Sequence, residues 1–139
     1  MSGRILLVDD DPMIRGLGER MIKALGFACD SVGDGFAALA KLDAADGAYR
    51  AVVTDLMMPE MNGSELLDAL ASSYPGLPVV VASGDAVAAD ALRGRRLPGH
   101  SVLLKPYRLK ELGDSLHAAI ASHETARGRD AGMGEEVGV

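Results

Sequence analysis

The run Arg4-Ile5-Leu6-Leu7-Val8-Asp9-Asp10-Asp11-Pro12 decides the reading of the fold. Arg4 to Val8 is a run of strand length, aliphatic after its first residue, and such a run without polar alternation reads as a strand buried on both faces. It stops at consecutive acids. Asp11 before Pro12 has the pattern of a helix start, an aspartate cap followed by proline at the first helical position, worth about 0.5–2 kcal/mol. Asp9 and Asp10 have no such explanation. Two further carboxylates beside a cap repel each other and gain nothing without a cation.

Outward from this run the pattern repeats. Ala51 to Thr54, Leu77 to Ala82 and Ser101 to Leu104 are further apolar runs of strand length, and Phe27 to Val32 is a weaker one. Between them lie stretches of helical spacing: Ile14, Leu17, Met21 and Leu25, then Leu66, Leu67 and Leu70. A last helix begins near Leu109, carries Leu109, Leu112, Leu116 and Ile120 on one face, and ends near Ser122. Gly113 inside it is a local weakness of about 1 kcal/mol relative to alanine. Alternating strands and helices predict an α/β fold: a doubly wound, five-stranded parallel sheet with helices on both faces. Ligands bind such sheets at the carboxyl ends of the central strands, where the strand order reverses. Asp9 to Asp11, Asp55, Ser83 and Lys105 all fall at such ends.

Composition bounds the function. A chain of 139 residues, 48% hydrophobic, supplies one core, so residues 1–122 are expected as one domain. Residues 123–139, Gly-rich and acidic towards the end, are expected as a disordered tail. A formal charge of −6 is not built to neutralise nucleic-acid phosphates, so no direct nucleic-acid binding is expected. Cys29 is the only cysteine, which excludes an intrachain disulfide and suits a reducing compartment, the cytoplasm. The apolar run at the N-terminus is too short for a signal peptide or a membrane span, so no membrane insertion is expected. His100, His117 and His123 lack companions at metal-ligand spacing. Arg93, Arg95 and Arg96 read as a solvated face, and the methionines as packing.

The acids fit a specific chemistry. Asp9, Asp10 and Asp55 offer hard oxygen ligands of the type that suits Mg²⁺, with Mn²⁺ able to substitute. A carboxylate can also be a nucleophile and form an aspartyl phosphate when a metal and a lysine balance the phosphoryl charge. Lys105 can supply that charge, Ser83 a hydroxyl donor, and the backbone after Asp55 further N–H donors.

Leu6-Leu7-Val8-Asp9-Asp10-Asp11, Asp55-Leu56-Met57-Met58-Pro59 with Asn62-Gly63, Ser83-Gly84, and Lys105-Pro106-Tyr107 stand in that order. Together they resemble the receiver domain of two-component response regulators over Arg4 to Ser122. The resemblance implies a flavodoxin-like (βα)5 fold and phosphorylation of Asp55 by a histidine kinase or a histidine phosphotransfer protein, with output by protein–protein interaction. It implies direct Mg²⁺ ligation by Asp10, Asp55 and the Met57 backbone carbonyl, with Asp9 acting mainly through water. Ser83 and Lys105 would hold the phosphoryl group, and Lys105-Pro106 is a candidate cis peptide. Met57 and Asp85 would border the path of the hydrolytic water. Val102 departs from the pattern, since the family places an aromatic switch there. The region from Asp85 to Gly99 reads similarly to receivers attached to hybrid histidine kinases, although the chain alone reads as free-standing.

Three other readings compete. A metal-dependent small-molecule phosphatase using Asp55 needs a second aspartate two residues on, where Met57 stands. A flavin or nucleotide binder needs a phosphate-cradling loop after the first strand, where three acids stand instead. A phosphorylation-independent receiver-fold binding module is compatible with the fold, but the full complement of acids and lysine argues against it.

Overall fold

The structure, a computed structural model, describes residues 3–46, 48–56, 58, 61, 63–95 and 100–136. Five strands alternate with five helices: β1 Arg4–Val8, α1 Pro12–Ala24, β2 Ala28–Val32, α2 Gly35–Ala44, β3 Ala51–Asp55, α3 Gly63–Ser73, β4 Val79–Ser83, α4 Ala86–Arg95, β5 His100–Leu104 and α5 Leu109–Glu136. The strands form one parallel sheet in the order β2-β1-β3-β4-β5. The chain steps outward from β1 to β2, then recrosses β1 to build β3, β4 and β5. The reversal lies between β1 and β3, whose register sets Ile5 against Ala51 and Val8 against Thr54. A crevice therefore opens beyond Val8 and Asp55.

Successive side chains of β1 point to opposite faces, and each face has its own core. Leu6 and Val8 join Val52, Val79 and Val81 beneath Ala38 and Leu42 of α2, Leu66, Leu67 and Leu70 of α3, and Leu92 of α4. Ile5 and Leu7 join Val53, Val80 and Leu103 beneath Ile22 of α1 and Leu112, Leu116, Ala119 and Ile120 of α5. This explains the unbroken apolar run: a strand covered on both sides has no solvent face for a polar residue to occupy. The doubly wound sheet expected from the sequence is present. β2, at the edge, is only partly buried, as its weaker apolar pattern implies.

Local chemistry starts the helices. Asp11 caps α1, its Oδ1 accepting from the N–H of Met13 at 2.9 Å and of Ile14 at 3.2 Å, with Pro12 in the first turn. Asp34 caps α2 through the Ala37 N–H at 2.7 Å, and Asp85 caps α4 through the Val87 N–H at 2.9 Å. Glu111 turns back to accept from the Arg108 N–H at 2.9 Å at the start of α5. Gly26, with φ of +97°, follows the end of α1 in the left-handed region that glycine alone enters without a Cβ penalty.

Three expectations shift. On α1 the buried residues are Gly18 and Ile22, whereas Ile14 and Leu17 remain 37% and 48% exposed. The contact with the sheet is centred on a glycine, which carries no hydropathy signal. Gly113 is buried on α5, and a Cβ there would stand 3.0 Å from Leu25 Cδ2, so its helix cost is offset by close approach to Leu25. Finally, helical backbone runs to Glu136, beyond the end expected near Ser122. Among the described residues no helix is long and apolar enough to cross a membrane.

Candidate functional site

Three strand ends converge at the crevice. β1 delivers Asp9 and Asp10, β3 ends on Asp55, and the turn after β5 delivers Lys105. Asp9, Asp10 and Asp55 each offer a carboxylate oxygen, and these atoms lie within 4.8 Å of one another. Asp9 is buried, Asp55 partly so, and Asp10 is open to solvent. Lys105 Nζ reaches 2.9 Å from Asp9 Oδ2 and 3.3 Å from Asp55 Oδ2, forming a bridge between two of the acids. One ammonium against three carboxylates leaves the pocket with an excess of formal negative charge, and such a cluster of oxygens suits a hard divalent cation.

Asp9 is held at every polar atom. Its N–H donates to Val32 O at 3.1 Å, its Oδ1 accepts from the Asp11 N–H at 2.9 Å, and its Oδ2 accepts from Lys105. Its carbonyl accepts from Arg15 Nη1 at 2.7 Å. Lys105 is fixed from its own side, its backbone N–H donating to Ser83 O at 2.8 Å. The Lys105-Pro106 peptide is cis, as the sequence motif suggested.

Of the remaining expected residues, Ser83 closes β4 and is fully buried. Its hydroxyl serves the following turn, accepting from the Asp85 N–H at 3.0 Å and donating to Asp85 O at 3.2 Å. Asp85, expected beside the path of the hydrolytic water, has its Oδ1 committed to the start of α4. Val102 packs against the core on the α2–α4 side of the sheet. Met57 lies outside the described residues. Tyr107 is half-buried and packs with the α1–α5 core, where Ile14, Leu17, Gly18, Met21, Lys105, Pro106 and Tyr107 line a cleft of about 340 Å³.

The pocket's charges act on its neighbours. Burial alone would lower the Lys105 pKa, but the hydrogen bond to Asp9 and attraction to Asp55 outweigh it and raise the value. Tyr107 is raised by burial and by the negative charge of Asp9 and Asp55, against the opposing charge of Lys105. Burial and the hydrogen bond to Asp30 push Tyr49 to about 12, and the bond to Asp43 pushes Tyr74 to about 12. Every folded pKa here is raised. The stability these groups lend is therefore complete below their ordinary values and is lost as pH rises through the folded ones. A spectrophotometric titration of the native chain is expected to show no tyrosine ionising at the ordinary midpoint near 10, and all three ionising there in denaturant. A native phenol titrating at the denatured midpoint would contradict these contacts.

Residues 5–117 match the response regulator receiver domain family. The chain belongs to that family. It is 33% identical over 117 residues to the transcriptional regulatory protein QseB of Haemophilus influenzae, an alignment covering 84% of this chain and 52% of that protein. The solved structure of a sensor protein from Polaromonas sp. JS666 is 33% identical with a TM-score of 0.76, covering 86% of this chain and 97% of that one. The receiver domain of sensor histidine kinase PA1611 from Pseudomonas aeruginosa, solved with a magnesium ion coordinated in its active-site cleft, has a TM-score of 0.73. It is 24% identical, covering 87% of this chain and 99% of that one. The receiver spans about half the length of the QseB protein it matches.

This receiver thus carries an acidic pocket of Asp9, Asp10 and Asp55 with Lys105 between two of the acids. Sequence reasoning located all four. It missed Arg15, which reaches the pocket from one turn inside α1. An arginine there looks like any solvated helix residue, and only the helix's direction shows where its side chain lands.

Proposed function

We propose that the receiver accepts a phosphoryl group on Asp55 from the phosphohistidine of a histidine kinase or histidine phosphotransfer protein, and signals by protein–protein contact. The observation that carries this reading is the juxtaposition at Asp55: a carboxylate beside two further acids, with the Lys105 ammonium 3.3 Å away. Asp55 is the nucleophile. Its Oδ forms the new bond to phosphorus as the donor's P–N bond breaks, and the donor imidazole leaves with that electron pair. Lys105 neutralises charge on the phosphoryl oxygens in a partly water-excluded pocket, where a fixed ammonium needs little reorganisation. The Ser83 hydroxyl serves a second phosphoryl oxygen, for which it must release its bonds to Asp85.

The clustering of three carboxylate oxygens within 4.8 Å fits a divalent cation. Asp10 and Asp55, with the Met57 backbone carbonyl, would hold Mg²⁺ or Mn²⁺ directly, and Asp9 mainly through water. When bound, the metal supplies positive charge to phosphoryl oxygens and to the acids themselves. The magnesium in the cleft of the PA1611 receiver domain supports this assignment. The same reading places the functional domain in residues 1–122, with 123–139 outside it, and the chain in the cytoplasm.

Intact mass after exposure to acetyl phosphate tests the proposal. One phosphoryl group is expected on the wild type with Mg²⁺, and none with chelator or in Asp55→Ala. Failure of the wild type to label, under conditions that label another receiver, would overturn phosphoacceptance and favour a binding module that works without it.

A further inference from the structure

Arg15 is the one side chain that reaches the acidic turn from α1 among the described contacts. We propose that it is a positioning residue for the metal site, holding the Asp9–Asp10 peptide so that the Asp10 carboxylate faces the cation. The inference rests on the metal site proposed above, not on phosphoryl transfer.

The last described backbone bond from this turn to β2 is Asp9 N–H to Val32 O. Asp10 therefore follows the end of the ladder, with its backbone direction set by whatever fixes the peptide before it. The oxygen of that peptide is the Asp9 carbonyl, and Arg15 Nη1 donates to it at 2.7 Å. Arg15 is itself anchored, since its backbone N–H donates to Asp11 O at 2.9 Å in the first turn of α1. The acidic turn is thus closed on both sides: Asp11 N–H holds the Asp9 carboxylate and Arg15 holds the Asp9 carbonyl. Space for the guanidinium comes from Gly33, where a Cβ would stand 3.3 Å from Arg15 Nη1. Groups behind the ligands that orient them commonly govern metal affinity as strongly as some ligands do.

Charge and position predict opposite signs. Arg15 carries a cation beside the site, so if its charge were all that mattered, removing it would tighten Mg²⁺ binding. If it positions Asp10, removing it weakens binding. The probe is Mg²⁺ alone, titrated into the full chain and followed by the amide resonances of the acidic turn, with circular dichroism confirming the fold of each variant. Arg15→Met, which keeps much of the stem's packing, is expected to weaken Mg²⁺ binding about tenfold. It should also displace the Asp10 and Asp11 amide resonances before any metal is added.

Arg15→Lys keeps a charged donor and is expected to recover part of the loss. Arg15→Gln keeps a neutral donor and is expected to fall between methionine and wild type, and it decides the matter where the methionine variant does not fold. Equal or tighter Mg²⁺ binding in the folded variants would overturn the inference. Absence of Mg²⁺ binding by the wild type would overturn the metal site and the inference with it. Wild type that binds Mg²⁺ but takes no phosphoryl group would overturn phosphoacceptance alone.

Discussion

Lys105→Met is expected to slow phosphoryl uptake by Asp55 from acetyl phosphate by about 10²–10³-fold at saturating Mg²⁺, the usual cost of removing one donor aimed at developing charge. Its Nζ stands 3.3 Å from Asp55 Oδ2 and its side chain is only 16% exposed, so bulk solvent cannot easily replace the missing charge. Mg²⁺ binding should move the other way, unchanged or tighter, because the variant removes a cation that competes for Asp9 and Asp55. The opposed signs separate Lys105 from a residue that merely holds the pocket together, whose loss would weaken metal binding and uptake in parallel. Rates come from intact-mass time courses, and metal affinity from amide shifts. Uptake within threefold of wild type would remove Lys105 from the phosphoryl site.

The site was legible in the sequence because its residues sit at strand ends, where hydropathy changes abruptly. Asp9 and Asp10 end an apolar run, Asp55 ends another and Lys105 follows a third. A parallel sheet turns those breaks into one edge of the molecule. What was not legible is what depends on reach and contact. Arg15 acts on the turn before its own helix, a matter of side-chain length and helix direction. The Ser83 hydroxyl faces Asp85, a matter of rotamer. Leu77 and Pro78 read as strand and are buried, but β4 starts at Val79: Pro78 O still accepts from the Val52 N–H at 2.9 Å, whereas the Leu77 N–H donates to Tyr74 O at 3.0 Å in the preceding turn. Burial and strand pairing are separate properties, and apolar sequence reports the first.

The α1 face gives the last expected result, a double-mutant cycle at Leu7 and Gly18. A Cβ on Gly18 would stand 2.8 Å from Leu7 Cδ2, closer than side-chain carbons approach, and Leu7 is 2% exposed in the core beneath α1 and α5. Gly18→Ala gains helix propensity of about 1 kcal/mol but must displace the Leu7 side chain or lift α1 from β1, and overpacking of this kind costs about 1–3 kcal/mol. Leu7→Ala leaves a cavity and is expected to cost about 2–5 kcal/mol. In the Leu7→Ala background the closest obstacle to Gly18→Ala is gone, leaving the Tyr107 hydroxyl oxygen, at 3.3 Å from the new Cβ, to give by a few tenths of an ångström. The second substitution should then turn stabilising, with the double variant recovering part of the loss as a coupling of about 0.5–3 kcal/mol. Urea unfolding of the four chains measures it. Additive effects would mean that α1 does not rest on β1 through this contact. The cycle also bears on function, because α1 carries Arg15 and is capped by Asp11: any lift of the helix by Gly18→Ala takes with it two of the groups that hold the acidic turn.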